Sequence, residues 1–229
     1  MKNIKVVAFD ADDTLWVNEP FFRVFEEDYF KLMSPYMERE ELKEKLFHLV
    51  IKNLPMYGYG TRGLSLSMIE GANLFSEGKV KATEIAQILE FGKRMLNNPI
   101  ELLDGVIDTL EYLKTKEYRL VVATKGDLLE QERKIEKSGL DKYFHHTEIV
   151  SEKKEAGYNK LLKHLDIEPD EFLMLGNSLK SDIVPVLNIG SHAYHIPFHS
   201  TWEHEMVDHK VEGEKFKELK NIREVMNYL

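Results

Sequence analysis

Asp10, Asp12 and Asp13 put three carboxylates into four consecutive positions, directly after the apolar run Val6-Val7-Ala8-Phe9. Such a run reads as a buried strand of a parallel sheet. A strand ending in Asp-x-Asp delivers both side chains to the carboxyl end of the sheet, where open α/β folds place their active sites. Two carboxylates about 4 Å apart, at an effective dielectric near 20, repel by roughly 4 kcal/mol. An Asp-rich turn capping a strand is the plain alternative, but that much repulsion calls for a cation.

Three later stretches carry further polar groups at strand ends or helix starts. Leu120-Val121-Val122-Ala123-Thr124 is an apolar run closed by a hydroxyl and followed by Lys125-Gly126. Ser151-Glu152-Lys153-Lys154 precedes a helical stretch containing Tyr158. Leu173-Met174-Leu175-Gly176-Asn177-Ser178-Leu179-Lys180-Ser181-Asp182 is a strand followed by a polar turn. Together with Asp10-Ala11-Asp12-Asp13-Thr14, and in this order, they resemble the four motifs of the haloacid dehalogenase (HAD) superfamily. Those motifs are DxDxT, a strand ending in Thr or Ser, a lone Lys before a helix, and a strand with GDxxxxD. The chain departs from the last, with Asn177 where the first Asp is usual.

The resemblance implies roles for these positions. Asp10 would attack phosphorus and form an aspartyl-phosphate, splitting a hard hydrolysis into two steps. Asp12 would protonate the leaving oxygen and then activate water. The dehalogenase branch lacks this second Asp, so Asp12 favours phosphoryl transfer over carbon–halogen cleavage. Thr124 would donate to a phosphate oxygen, with the backbone N–H groups of Lys125 and Gly126 as an anion nest. Lys153, with Lys154 as its competitor, would neutralise charge on the nucleophile and the transferring group.

Charge counting also supports a metal. Asp10, Asp12 and Asp182 are balanced by Lys153 together with one divalent cation, and hard oxygen donors without imidazole suit Mg²⁺. Asp10 and the Asp12 carbonyl would coordinate, and Asn177 or Asp182 would complete the protein's share.

Composition narrows the setting. The chain has 229 residues, Lys+Arg 31 against Asp+Glu 40, and a net charge of −9, which argues against a general nucleic-acid or anionic-membrane binder. With no Cys there is no disulfide, thiolate catalysis or Cys-zinc site. No signal-peptide pattern and no membrane-length apolar run occur, so a cytoplasmic enzyme is expected.

Residues 20–97 contain amphipathic helical stretches at Phe21 to Met33, Glu38 to Ile51, Leu64 to Phe75 and Ala82 to Leu96. From Leu103 onward helices alternate with short apolar runs, as in βαβ units. The expected fold is a Rossmann-like α/β core from residues 1–16 and 98–229, with an α-helical cap inserted at 17–97. Gly58-Tyr59-Gly60-Thr61-Arg62-Gly63 fits GxGxxG, but no strand precedes it and no βαβ unit encloses it; a flexible cap loop is the expectation. His204-Glu205 starts like a zinc-protease motif, yet the next His is five residues on, about 140° around a helix. The expected activity is Mg²⁺-dependent hydrolysis of a small phosphomonoester. A phosphomutase sharing the intermediate and a silent binding module are the rivals.

Overall fold

The computed structural model describes residues 3–229. Six strands form one parallel sheet: β1 (Val6–Phe9), β2 (Arg119–Lys125), β3 (His146–Val150), β4 (Phe172–Gly176), β5 (His192–His195) and β6 (Phe216–Glu218). Their spatial order is β3-β2-β1-β4-β5-β6. The chain winds outward from β1 on one side, then returns to β4 on the other, so the switch point lies between β1 and β4. Phe9 at the end of β1 stands opposite Val122 of β2 and Leu175 of β4. The residues that follow these positions therefore emerge side by side.

After β1 the chain forms α1 (Glu19–Met33), α2 (Arg39–Tyr57), α3 (Thr61–Phe75) and α4 (Ala82–Leu96). Then come α5 (Val106–Thr115), α6 (Leu128–Ser138), α7 (Glu155–Leu165) and α8 (Val184–Asn188), each between strands of the sheet. The fold is α/β, with a Rossmann-like core. The chain divides into two compact units, Met1–Glu19 with Ile100–Leu229, and Pro20–Pro99. Val17–Glu19 therefore belong to the sheet-bearing unit and Asn98–Pro99 to the helical one. The reason on the sheet side is local: the Val17 amide donates to Glu101 O at 2.9 Å, and Leu103 donates to Leu15 O at 3.0 Å.

Strand side chains alternate between the two faces of the sheet, as a period of two requires. Val7, Phe9, Leu120, Val122, Leu173 and Leu175 pack with Val106, Leu110 and Leu113 of α5 and Ile135 of α6. Val6, Ala8, Val121, Ala123, Phe172 and Met174 pack on the other face with Tyr158, Leu161, Leu162 and Leu165 of α7. The helical unit has its own core around Phe25, Tyr29, Met33, Leu42, Leu46, Met68, Ala72 and Ile88. Among the described residues no helix is long and apolar enough to cross a membrane.

Three expectations need correction. α2 runs on past Ile51 to Tyr57, with Pro55 in its last turn. Its missing N–H costs the helix one i→i−4 bond, and the helix ends two residues later at Tyr57, where the Gly58 amide still donates to Leu54 O. The glycine-rich segment is not a flexible loop. Only Gly58–Gly60 link α2 to α3, and Thr61–Gly63 already form the first turn of α3. A Cβ on Gly63 would lie 2.2 Å from the Gly58 carbonyl oxygen, so glycine is needed for this tight corner. The edge strands β5 and β6 were not foreseen.

Gly176 at the end of β4 has a comparable function in the core. A Cβ there would meet Asp182 Oδ2 at 2.3 Å and Asp182 Cγ at 2.4 Å. Asp182 is itself fixed by hydrogen bonds and cannot yield cheaply. Gly176→Ala is expected to destabilise the protein by about 1–3 kcal/mol through overpacking. Denaturant unfolding of purified variant and parent would measure it, and an unchanged midpoint would refute the close approach.

Candidate active site

Asp10 is the first residue past β1, and its amide still donates to Leu175 O at 2.8 Å. Its backbone is thus held by the sheet while its carboxylate projects beyond the strand end. Lys153, just ahead of α7, donates to Asp10 Oδ1 and, at 2.7 Å, to Asp182 Oδ1. All three side chains are buried. Lys154 is exposed and lies 3.7 Å from Glu152, so Lys153 alone enters the cluster. The Ser178 amide donates to Asp182 Oδ2 at 3.0 Å, where the chain leaves β4 and enters a π turn over Leu179–Ile183. Single π turns of this kind recur at functional sites.

Thr14 links the first and fourth motifs. Its hydroxyl is 3.3 Å from Asp10 Oδ2 and 3.3 Å from Asn177 Oδ1, and its one proton serves one of them at a time. His195 Nε2 donates to the Asn177 carbonyl at 3.0 Å, with Nδ1 3.3 Å from Glu218 Oε2. This histidine is therefore a buried, hydrogen-bonded brace. Burial pushes Asp10 up to about 7, against the downward pull of Lys153. Burial alone would lower Lys153, but Asp10 and Asp182 together raise it above the ordinary lysine range. Lys153 is the group that keeps its proton.

Asp12 points elsewhere. Trp16 Nε1 donates to its Oδ1 at 2.7 Å, and Gln131 Nε2 to its Oδ2 at 3.0 Å. Lys134 Nζ reaches both oxygens, at 3.0 and 3.2 Å. Gln131 Nε2 also lies 2.9 Å from Thr124 Oγ1, which accepts and keeps its own proton to donate. Asp13, with φ 60, accepts from the amides of Asn18 and Glu19 and so caps the start of α1. Burial pushes its carboxyl up to about 7 despite those two amides.

The anion nest expected at Lys125 and Gly126 is altered. The Gly126 amide donates to Val150 O at 3.2 Å, so it belongs to the sheet and is not directed at a ligand. Lys125 stands opposite Val150 in the ladder, and its ammonium bonds Ser181 Oγ at 3.0 Å and pairs with Glu205. Glu205 also accepts from Ser178 Oγ at 2.6 Å and from Ser181 Oγ. His204 and Glu205 lie on a short 3₁₀ turn, Glu203–Glu205, with no zinc-protease helix.

Among the described residues, no three His, Cys, Asp or Glu side chains form a metal-holding group. The oxygen set is instead two carboxylates, Asp10 and Asp182, with the Asn177 amide oxygen joined to Asp10 through Thr14. This is a hard, all-oxygen set with one uncompensated negative charge beside Lys153, and it fits a cation of the Mg²⁺ type.

A family model for haloacid dehalogenase-like hydrolases matches residues 4–190. The chain belongs to this family. It is thus a hydrolase. A haloacid dehalogenase-like family hydrolase from Xanthomonas campestris is 35% identical, with a TM-score of 0.87 over 99% of this chain and 90% of that one. A glyceraldehyde 3-phosphate phosphatase from Pyrococcus furiosus is 26% identical over 205 residues, covering 83% of this chain and 79% of the relative. The HAD-hydrolase YfnB from Bacillus subtilis, solved bound to magnesium, shares the fold with a TM-score of 0.68 at 16% identity over 99% of both chains.

Sequence reasoning read Thr14 only as the last residue of the first motif, and it missed Trp16, Gln131, Lys134, His195 and Glu205 as neighbours of the motif residues. Gln131 and Lys134 carried one usable signal: they lie three apart on a helix, beside the core residue Ile135.

Glu205 supplies a pH test of this architecture. Burial raises its carboxyl, but Lys125 and the hydroxyls of Ser178 and Ser181 outweigh that and hold it at about 2, against an ordinary 4.5. A depressed acid contributes stability that is present above its unfolded value and is lost as pH falls through the folded one. Glu205→Gln should therefore cost up to about 3 kcal/mol at pH 7, from the size of that shift. The gap should shrink below pH 4.5 and close towards pH 2. Urea unfolding across that range measures it; a gap independent of pH would contradict the ion pair.

Proposed function

We propose that this hydrolase is a Mg²⁺-dependent phosphatase of small-molecule phosphate esters, working through an aspartyl-phosphate on Asp10. The observation that carries this reading is the pair of carboxylates two residues apart, with Asp10 ion-paired to Lys153 and Asp12 held separately by α6. A pair so separated suits two different tasks. The phosphatase name of the archaeal relative supports a small organic phosphate as substrate class.

In the first step Asp12 enters protonated on one carboxyl oxygen; Asp10 Oδ attacks phosphorus, the ester P–O bond breaks, and Asp12 passes its proton to the departing alkoxide, leaving the carboxylate that the second step reprotonates. In the second, Asp12 takes a proton from water as the water oxygen attacks phosphorus. The P–O bond to Asp10 then breaks and inorganic phosphate leaves. Thr124, whose hydroxyl retains its proton, donates to a phosphoryl oxygen, and Lys153 offsets the charge that builds on the transferring group. The Lys125 ammonium is committed to Glu205 and has no part in this scheme. Asp10, the Asp12 carbonyl, Asn177 and Asp182 are the groups that would hold Mg²⁺. When bound, the ion supplies positive charge to the nucleophile and the phosphoryl oxygens. Pro20–Pro99 are read as the family's cap, which selects among esters.

Asp10→Asn retains size but removes the nucleophilic charge, and kcat on an aryl phosphate should fall by several orders of magnitude. Near-parental turnover in that variant would end the covalent reading. Asp12→Asn should damage esters with poor leaving groups far more than nitrophenyl phosphate.

Asn177→Asp adds a third carboxylate to the oxygen set. Mg²⁺ should bind more tightly, and the metal-free protein should melt lower because buried repulsion grows. Melting temperature against Mg²⁺ concentration tests both; an unchanged Mg²⁺ dependence would put Asn177 outside the metal's ligands.

A further inference from the structure

The side chains of α6 do more around Asp12 than an ion pair on a helix surface would. Asp12 accepts from four N–H groups, two on each oxygen: Trp16 Nε1 and Lys134 Nζ on Oδ1, and Gln131 Nε2 and Lys134 Nζ on Oδ2. Lys134 is held in turn by Asn18 Oδ1 at 2.8 Å and lies 3.6 Å from Glu130. Its side chain is only 14% exposed. Gln131 is buried, and its Nε2 also bridges to Thr124 Oγ1 and, at 3.1 Å, to Lys125 O. The helix itself is anchored: Asp127 caps its first turn by accepting from the Glu130 amide at 2.9 Å, and Ile135 sits in the core. Residues three apart share one helix face, so Gln131 and Lys134 reach Asp12 together from a fixed element.

We infer that Lys134 and Gln131 are positioning residues for Asp12, and that their effect falls on the leaving-group step. A cation contacting both oxygens, with one amide on the second, sets the plane and rotation of the carboxyl group. General acid–base work depends on that aim, because the proton must lie within hydrogen-bond reach of the leaving oxygen. Attack by Asp10 does not depend on it, since Asp10 has its own cation in Lys153. A purely structural Lys134 would instead affect folding and all substrates alike. The inference rests on the phosphatase reading for its kinetic consequence, but the contact itself has an independent reporter. The chain contains 2 tryptophans, Trp16 and Trp202, and the Trp16 indole N–H donates to the very oxygen that Lys134 contacts.

The experiment uses the full-length protein and the variants Lys134→Met, Gln131→Leu and Lys134→Arg, with p-nitrophenyl phosphate and a simple alkyl phosphate as substrates. Lys134→Met should lose about tenfold to a hundredfold in kcat on the alkyl ester, at most about threefold on the nitrophenyl ester, with KM nearly unchanged, since acid–base terms scale with leaving-group need. Lys134→Arg, whose fork can engage both carboxylate oxygens, should recover most of the alkyl activity. In ¹H–¹⁵N spectra, assigned with Trp202→Phe, the Trp16 indole resonance should shift in Lys134→Met and in Gln131→Leu and return in Lys134→Arg. Equal losses on both esters in folded protein would overturn the inference, and so would an indole resonance that stays in place. If the parent protein turns over neither ester, the phosphatase reading falls, and the indole shift alone decides whether these two residues position Asp12.

Discussion

One ammonium group, that of Lys153, sits between two buried carboxylates that follow the adjacent strands β1 and β4, Asp10 and Asp182. Leaving a buried charge without its partner costs several kcal/mol. Neither acid would therefore be tolerated here without this lysine. The loop before α7, the turn after β1 and the π turn after β4 all have to end at the same point, and Gly176 must lack a side chain for Asp182 to reach it. Two acids to one ammonium leave a negative charge in excess. That excess favours the approach of a cation over that of an anion.

Around Asp12 the balance is different. Its partners are one ammonium and two neutral N–H donors, so this carboxylate is neutralised and directionally held. Two acids separated by one residue thus face different surroundings because strand geometry and the tight turn direct them to different elements, one towards α7 and the other towards α6. Chemical division of labour between like side chains comes from such differences in neighbours.

Much of this was legible in the sequence, for definite reasons. The strands β1, β2 and β4 are continuous apolar runs, as strands covered on both faces must be. The edge was harder to read. β5 spans His192–His195 and β6 only Phe216–Glu218, too short and too polar for a periodic signal. Gln131 and Lys134 lie in Leu128-Leu129-Glu130-Gln131-Glu132-Arg133-Lys134, which by composition looks like a solvated face. Only the packing of α6 reveals that this face is turned inward. Glu205 was hidden by distance, since nothing local ties it to Lys125. The Gly126 amide was misread because a glycine after a strand suggests an open turn, whereas here the ladder with β3 continues through it.

The site's ion pairs also span long stretches of chain. Lys153 and Asp10 are separated by 143 positions, and Lys134 and Asp12 by 122. Contacts of such separation form late, because loop closure must be paid for before they give anything back. The carboxylate of Asp10 therefore meets its charged partner only when far-separated parts of the chain have come together. Until β4 and the turn beyond it have been made, Asp10 has no sheet neighbour on that side and no Asp182 opposite its lysine. Asp10 at the end of β1 is thus not enough to make the cluster, which exists only once β4 and the turn after it are in place.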